Sequence, residues 1–495
     1  MLKAIISAAL LAFSCLAVAQ AAPANRLHIP PVLEPTPAAD GGKLFDLTLQ
    51  AGEREFRSGK PTRTWGINGA YLGPTLRART GERVSVTIRN RVDETTTLHW
   101  HGMDVPAAMD GGPHQAIEPG MTWTPHWTVT NEAATLWYHP HLMGRTATHV
   151  HKGLTGLFLI DDARSDRLPI PKTYGIDDIP VIVQDRTFDV DGQFVYDPGL
   201  DGFFGNTILV NGTPDAFVEL ASGRVRLRLL NASNARRYDF AFSDGRAFTQ
   251  IASDGGFLPA PAVQRNLMLA PGERAEILVD LAEGDTVRLV SRAIARDGGL
   301  FIATMRRMFR VNRDEGQAFD ILELRATSAG AMPAQLPPAL NEIARLNEKE
   351  SVRTRRFVLD ESHKINDRRM DHARIDEVVK SGSTEIWEIE GDWIRAHPFH
   401  IHAVQFQVLS RDGAPPPAHE MGWKDTAIVG RDEIVRLIMR FPEHDDPDTP
   451  YMYHCHLLEH EDGGMMGQFL IVADPSAPIR YRTTLTAEQT KRHKH

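Results

Sequence analysis

The sequence predicts an all-β protein built from three β-sandwich domains. Short alternations of apolar and polar residues recur along the chain and are separated by Gly, Pro, Asn and Asp. Successive side chains of a strand face opposite sides of its sheet, so this period of two with frequent turn signals is typical of sandwiches. The clearest alternations lie at 83–89, 224–229 and 433–438, one in each third of the chain.

The length supports the same organisation. A chain of 495 residues exceeds what one hydrophobic core usually holds and suits about three domains. We place domain 1 at 44–168, domain 2 at 176–327 and domain 3 at 350–474, followed by a charged tail at 475–495. The segment that bridges domains 2 and 3 begins rich in Pro and Ala and is predicted to become helical at 340–350.

Residues 1–21 are typical of a secretory signal peptide. Lys3 precedes an apolar run from Ala4 to Val18, and small residues follow at 19–22, which is the order of a signal peptide. The run is too short for a typical membrane-spanning helix, and no later stretch resembles one. We therefore expect a periplasmic or secreted protein without a membrane span. A flexible linker rich in Pro and Ala is predicted at 22–43.

Charge and cysteine content narrow the functional classes. The net charge of −9 gives no electrostatic reason to bind nucleic acid. Of the two cysteines, Cys15 would leave with the signal peptide, so Cys455 would be alone and could form no disulfide within the chain. A lone thiol in an oxidising compartment is liable to oxidise unless something, such as a metal ion, occupies it.

The histidines are concentrated in domains 1 and 3. The chain has 21, and none lies between His151 and His363. Paired histidines two residues apart on a strand aim at one place, so four such pairs supply eight imidazoles for a multinuclear site. Imidazole suits Zn, Cu, Fe and Ni alike. The pairs are His99 and His101, His139 and His141, His400 and His402, and His454 and His456.

Cys455 indicates copper. It lies between His454 and His456 and therefore faces the opposite side of its strand, where His397, His460 and Met465 could join it. Two imidazoles, one thiolate and a weak axial thioether form the ligand set of a blue-copper electron-transfer site. A structural zinc site would more often use two or more cysteines.

These motifs resemble those of the three-domain multicopper oxidases, the family of laccases and bacterial copper-efflux oxidases. The matching stretches are H-W-H-G from His99, W-Y-H-P-H from Trp137, H-P-F-H-I-H from His397, and Tyr453 through Met466. They occur in the family order, and the resemblance spans nearly the whole mature chain. It implies three cupredoxin-like Greek-key β-sandwich domains, of which the second carries no copper.

The resemblance also implies a role for each matching residue in binding four copper ions. His397, Cys455, His460 and Met465 would bind the type 1 copper, and His99 and His400 the type 2 copper. The type 3 pair would be bound by His101, His139, His141, His402, His454 and His456. Asp110 and Glu461 match acidic positions that relay protons to the cluster. Reduction of O2 to water consumes protons, so carboxylates are useful there.

The expected function is a laccase-like oxidase that couples four one-electron oxidations of phenols or aromatic amines to the reduction of O2 to two waters. The methionine-rich insertion of copper-efflux members is missing; only scattered methionines such as Met305, Met308, Met332 and Met370 are present. Copper-efflux members also place an acid and methionines just before the first type 1 histidine, whereas residues 392–396 read Asp-Trp-Ile-Arg-Ala and contain no methionine. Both departures favour a broad organic reductant over Cu(I).

Other functions fit parts of this pattern. A periplasmic cuprous oxidase for copper detoxification stays open, as does Mn(II) as the reductant. A non-enzymatic scaffold on the cupredoxin fold is kept as a further alternative, although such a scaffold would be expected to lack copper ligands and none is missing here. A simple electron carrier needs only the type 1 set, and a two-domain nitrite reductase needs neither eight paired histidines nor a histidine-poor middle domain. The partners would be O2 and a small-molecule or metal-ion reductant, and the chain is expected to be a monomer. His149 and His151 are interpreted as a solvated or structural pair.

Overall fold

A computed structural model describes residues 24–38, 41–294, 316–330, 334–392 and 394–483. The predicted signal peptide, Met305, Met308, Met332 and the end of the tail from 484 lie outside the described residues. Within the described ranges, no helix has the length and the apolar character needed to cross a membrane.

The first sandwich packs two sheets around a core that includes Phe45, Leu136 and Phe158. Strand 83–90 illustrates why the core forms. Its buried valines and isoleucine alternate with more exposed polar residues, so that one face of the strand packs inward. One sheet contains β2 (Thr36–Pro37), β3 (Lys43–Arg57), β4 (Lys60–Ile67), β6 (Arg83–Asn90), β8 (Thr122–Trp123) and β9 (His126–Thr128). The other contains β5 (Leu76–Arg79), β7 (His99–His101), β10 (Ala134–His139) and β11 (Gly156–Asp161).

The second sandwich has the largest sheets and a core centred on residues such as Leu227, Phe240 and Ile277. Its six-stranded sheet contains β1 (Asn25–Arg26), β15 (Ala216–Ala221), β17 (Tyr238–Phe242), β20 (Asn266–Leu269), β22 (Thr286–Ser291) and β23 (Phe319–Ser328). The seven-stranded sheet contains β12 (Asp178–Arg186), β13 (Thr207–Val210), β14 (Thr213–Pro214), β16 (Gly223–Asn231), β18 (Phe248–Ser253), β19 (Gly256–Gln264) and β21 (Arg274–Leu281).

The third sandwich has two five-stranded sheets around Trp387, Phe399 and Phe469. One contains β24 (Ser351–Asp360), β25 (Lys364–Ile365), β27 (Thr384–Glu390), β29 (Phe406–Arg411) and β31 (Ile434–Arg440). The other contains β26 (Glu377–Lys380), β28 (His397–Ile401), β30 (Thr426–Val429), β32 (Tyr451–Cys455) and β33 (Met466–Val472). The predicted all-β sandwich architecture is therefore confirmed.

Helices are few and short among the described residues. The α-helices are α1 (Thr146–Lys152), α2 (Ala163–Arg167) and α3 (Leu458–Asp462), and the 3-10 helices are Ala107–Met109, Glu348–Glu350 and Ala418–Glu420. The prediction of a helix at 340–350 is therefore wrong, except for the last turn at Glu348–Glu350. Leu340 is 1% exposed, and its amide donates to the Pro259 carbonyl. This contact with the second sandwich holds the segment in an extended conformation.

The segment predicted as a flexible linker at 22–43 also differs from expectation where it is described. Strand β1 pairs in parallel with residues 216–217 of the second sandwich, and Leu27 is buried in that sandwich's core. Strand β2 pairs with the start of β3. The N-terminal segment therefore lies along both sandwiches, because its apolar side chains and backbone groups find partners there.

Candidate metal centre

Two pairs of neighbouring strands bring the histidine motifs of the outer sandwiches together. In the first sandwich, His99 on β7 lies opposite His139 on β10. In the third, His400 on β28 lies opposite His454 on β32. All eight paired imidazoles are at most 1% exposed, so the facing strands enclose them in one buried cluster between the two sandwiches.

The ring nitrogens of this cluster converge without intervening side chains. The Nε2 atom of His141 lies 3.0 Å from that of His454 and 3.1 Å from that of His402. The Nδ1 atom of His101 lies 3.3 Å from Nε2 of His139. Several sets of three of these side chains have ligand atoms within 4.8 Å of one another. Neutral imidazoles gathered this closely present lone pairs to shared points, as metal ligands do.

Hydrogen bonds determine which ring nitrogen of His99 and of His400 keeps its lone pair available to a metal ion. Nδ1 of His99 contacts the Asp110 carbonyl at 2.9 Å, and Nδ1 of His400 contacts the Asp425 carbonyl at 2.8 Å. An Nδ1–H that donates to a carbonyl leaves the lone pair on Nε2. Both Nε2 atoms are buried, with no hydrogen-bond partner among the described residues. A buried polar atom without a partner costs about 1–3 kcal/mol, a cost that a bound metal ion would remove.

Burial favours the neutral form of His402 and His456. It lowers the pKa of His402 to about 4 and that of His456 to about 3. The His456 ring lies 4.9 Å from that of His101, between centroids, and neither of its nitrogens has a hydrogen-bond partner in the part of the chain that the structure describes. A neutral imidazole is the form that binds metals.

Cys455 faces a second, separate group of ligands. Its Sγ lies 3.4 Å from Nδ1 of His397 and 3.9 Å from Nδ1 of His460. Met465 is fully buried in the same apolar cluster, and its carbonyl accepts the Cys455 amide at 3.0 Å. Burial raises the pKa of the Cys455 thiol. A bound cation would favour the thiolate, which is the form that ligates metals.

The two predicted carboxylates lie against the histidine cluster. An Asp110 oxygen lies 2.7 Å from Nδ1 of His402. Burial by itself raises the pKa of Asp110, but His402 and His99 outweigh it and hold the pKa below its ordinary value. Glu461, on helix α3, lies 3.4 Å from Nδ1 of His141 and 3.3 Å from Nδ1 of His454. Burial raises the pKa of Glu461 well above its ordinary value.

Asp425 and Arg274 also belong to the site, although no sequence motif predicted them. An Asp425 carboxylate oxygen accepts Nε2–H of His101 at 3.0 Å, which leaves the lone pair of that imidazole on Nδ1. Arg274 of the second sandwich donates to both oxygens of Asp425, at 2.7 and 2.6 Å. Both side chains are fully buried. The one available signal was a charged pair, Lys424 and Asp425, directly before an apolar strand.

His149 and His151 lie on helix α1, 0% and 3% exposed, so they are structural and not solvated. Nε2 of His149 contacts Glu94 at 3.3 Å and its Nδ1 contacts the Thr96 hydroxyl at 3.1 Å. The His151 ring packs edge-on against Phe203.

Comparison with known proteins agrees with this geometry. Models of multicopper oxidase domains match residues 48–165 and 335–475. A laccase-like multicopper oxidase of Ochrobactrum sp., described as active towards lignin model compounds, is 36% identical, with a TM-score of 0.81 over 90% of this chain and 100% of that one. A multicopper oxidase of Pediococcus acidilactici is 35% identical, with a TM-score of 0.83 over 94% and 95%.

The chain belongs to the multicopper oxidase family. Its domains are therefore cupredoxin-like, as predicted, and the family implies copper as the metal. Curated relatives include several proteins named Cell division protein FtsP. That of Yersinia pestis is 39% identical over 91% of this chain and 93% of its own length. That of Escherichia coli K12 is 38% identical over 90% and 92%.

These relatives overturn the expected laccase-like function. They match nearly the whole chain, at an identity slightly above that of the two oxidases, and they are named for cell division and not for oxidation of phenols or aromatic amines. The prediction of a laccase-like oxidase is therefore wrong. The ligand motifs could not have revealed this, because they define the metal chemistry and leave the biological role open.

Proposed function

We propose that this protein is a copper-dependent oxidoreductase, with O2 as the electron acceptor, that works in cell division outside the cytoplasm. Membership of the multicopper oxidase family supports the chemistry, and the relatives named for cell division support the role. The main support for the redox chemistry is the pair of buried Nε2 atoms on His99 and His400, which have no hydrogen-bond partner among the described residues and lie among converging histidine side chains.

The ligand roles that we propose are those that the family resemblance implies, and the convergence of these side chains supports them. His397, Cys455, His460 and Met465 would hold one copper ion, and His99 and His400 a second. The remaining cluster histidines would hold a pair, which gives four ions: His101, His139, His141, His402, His454 and His456. Copper supplies one-electron chemistry at the first position and a site for O2 at the cluster. A single chain provides every ligand, which supports a working monomer.

The chain itself would orient these ligands and hold protons near them. Asp425 and the Asp110 carbonyl fix which nitrogen of His101 and His99 faces the cluster. Glu461 lies between His141 and His454, where a carboxyl group could pass protons towards a reaction that consumes them. Cys455 is flanked in sequence by His454 and His456, so the backbone joins the thiolate side to the cluster by a short covalent route.

A complementation experiment tests the role and the chemistry together. The gene would be deleted in its own organism, and cell length and septum formation would be measured after rescue with the wild-type chain, Cys455→Ser or His126→Ala. His126 is exposed on β9, which belongs to the other sheet of the first sandwich from the one that carries His99 and His139, and it serves as the control. We expect a division defect that wild type and His126→Ala restore and Cys455→Ser does not.

Each other outcome has a definite meaning. Full rescue by Cys455→Ser would show that division needs the folded chain but not its redox chemistry, as for a scaffold. A deletion strain that divides normally under every condition tested would refute the proposed role. Purified wild type that takes up copper but consumes no O2 with any reductant would refute O2 as the acceptor.

A further inference from the structure

The imidazole of His460 is closed off from solvent on its outer side. Its Nδ1 faces Cys455 Sγ, so its Nε2 points away from the sulfur. That Nε2 lies 3.2 Å from the Leu200 carbonyl and 3.2 Å from Nη1 of Arg395. If Nδ1 carries the lone pair, Nε2–H donates to Leu200. His460 itself is 0% exposed, so a small molecule cannot touch its edge.

Leu200, Asp201 and Arg395 close off this side of His460, and we call these three residues the cover. They come from two sandwiches. Leu200 and Asp201 belong to a loop of the second sandwich, and Arg395 precedes β28 of the third. Asp201 pairs with Arg395 at 2.6 Å, and Arg395 also donates to the Leu200 carbonyl at 2.8 Å. The Arg395 and Asp201 side chains are 12% and 18% exposed. The ion pair therefore holds the cover in place and is reached by solvent only at its margin.

His363 lies on another side of His460. The two rings stack with their centroids 4.2 Å apart and their planes 25° apart. Space for His363 depends on a glycine, because a Cβ atom at Gly463 would lie 2.4 Å from its Nδ1. Unlike His460, His363 is partly exposed. It sits on a turn with a φ of 60°, a conformation that non-glycine residues seldom adopt.

We propose that His363 is the positioning residue through which an electron from a donor reaches the copper ion held by the Cys455 thiolate. Leu200, Asp201 and Arg395 keep donors away from His460 itself. This rests on the proposed function. A donor at His363 loses one electron, which passes across the stacked rings and reduces one cupric ion to cuprous. No bond forms or breaks, and no proton moves. The donor needs only to approach closely, and it need not enter a pocket.

The test is the anaerobic reduction of copper-loaded full-length protein by hexacyanoferrate(II). The rate of reduction is measured by stopped flow as the loss of the thiolate–copper absorption. His363→Asn removes the ring and suits the left-handed backbone. His363→Phe keeps a flat ring, and His126→Ala is the control. We expect His363→Asn to be slower by about tenfold, with His363→Phe close to wild type and His126→Ala unchanged.

A purely structural role for His363 would give a different pattern. The absorption spectrum and the reduction potential of His363→Asn should match those of wild type, because the ligands are unchanged; a shift in either that accounts for the slower rate would overturn the proposal. An unchanged rate in His363→Asn would overturn it as well. A wild-type protein that binds no copper would instead refute the proposed function.

The cover is tested separately with dimethoxyphenol as the donor. Asp201→Ala frees Arg395 from its ion pair and should open the approach to His460. We expect it to speed reduction by dimethoxyphenol several-fold over wild type, in which this donor reaches only His363. A wild type that reacts as fast as Asp201→Ala would show that the cover does not exclude organic donors.

Discussion

Arg274 in the second sandwich donates to both carboxylate oxygens of Asp425 in the third, at 2.7 and 2.6 Å. Asp425 in turn accepts from His101 of the first sandwich, and its backbone carbonyl contacts Nδ1 of His400. One residue of the second sandwich thus helps to set the orientation of two cluster histidines. The middle sandwich, although poor in histidine, therefore contributes to the site.

Replacing Arg274 with Met should destabilise the protein strongly. It leaves Asp425 buried and without its cationic partner, which costs about 3–5 kcal/mol. The control is Arg224→Met, which breaks the bidentate pair with Asp280 on the neighbouring strand of the same sandwich. That pair is 18% and 54% exposed, so its loss should cost at most about 1 kcal/mol. Urea unfolding monitored by tryptophan fluorescence measures both, and equal losses would contradict this account.

Cys455→Ser should remove one copper ion and the intense visible colour while the cluster stays loaded. The thiolate is the strongest ligand of its set, whereas the eight paired imidazoles form a separate buried cluster. Metal analysis should approach four copper ions in wild type and three in the variant. A Cys455→Ser protein that is still blue would show that the thiolate is not a copper ligand.

Glu461→Gln should slow the reaction of reduced enzyme with O2 more than it slows reduction. Glutamine keeps the shape of the side chain beside His141 and His454 but cannot pass a proton. Stopped-flow mixing of the reduced protein with O2 measures this step. Glu459→Gln is the matched control on the same helix, because Glu459 contacts Tyr196 and Asn234 and not the cluster. Reoxidation as fast as in wild type would leave Glu461 a structural residue.

Glu94→Gln should lower stability near neutral pH by up to about 1 kcal/mol, because Glu94 and its partner Lys152 are partly exposed, although its partner His149 is buried. The hydrogen bond from His149 is the main cause that lowers the pKa of Glu94 from 4.5 to about 2, with Lys152 adding to it. A lowered pKa stabilises the fold above the ordinary value, and this contribution is lost as the pH falls from 4.5 towards 2.

The measurement is the unfolding free energy of wild type and Glu94→Gln at pH 6 and pH 3.5, with exposed Glu53→Gln as the control. The difference between wild type and Glu94→Gln should shrink at the lower pH. A difference that stays constant between the two pH values would show that the carboxylate charge of Glu94 contributes nothing.

The sequence alone determined the class of fold, the family and the metal-ligand candidates. Each depends on local pattern: strand alternation sets the faces of a sheet, and a spacing of two places paired imidazoles on one face. The same reasoning placed Cys455 opposite His454 and His456. It failed for the segment 340–350, where a helical pattern is held extended by contacts with the second sandwich, and for the biological role.

Only the tertiary structure decided which residues of different sandwiches meet. Arg274 and Asp425 are 151 positions apart, and Leu200 and His460 are 260 apart, so no local period relates them. Their contacts arise because the sandwiches pack together, and burial then requires each charge and each ring nitrogen to find a partner. The orientation of His101 and the cover over His460 are consequences of that packing.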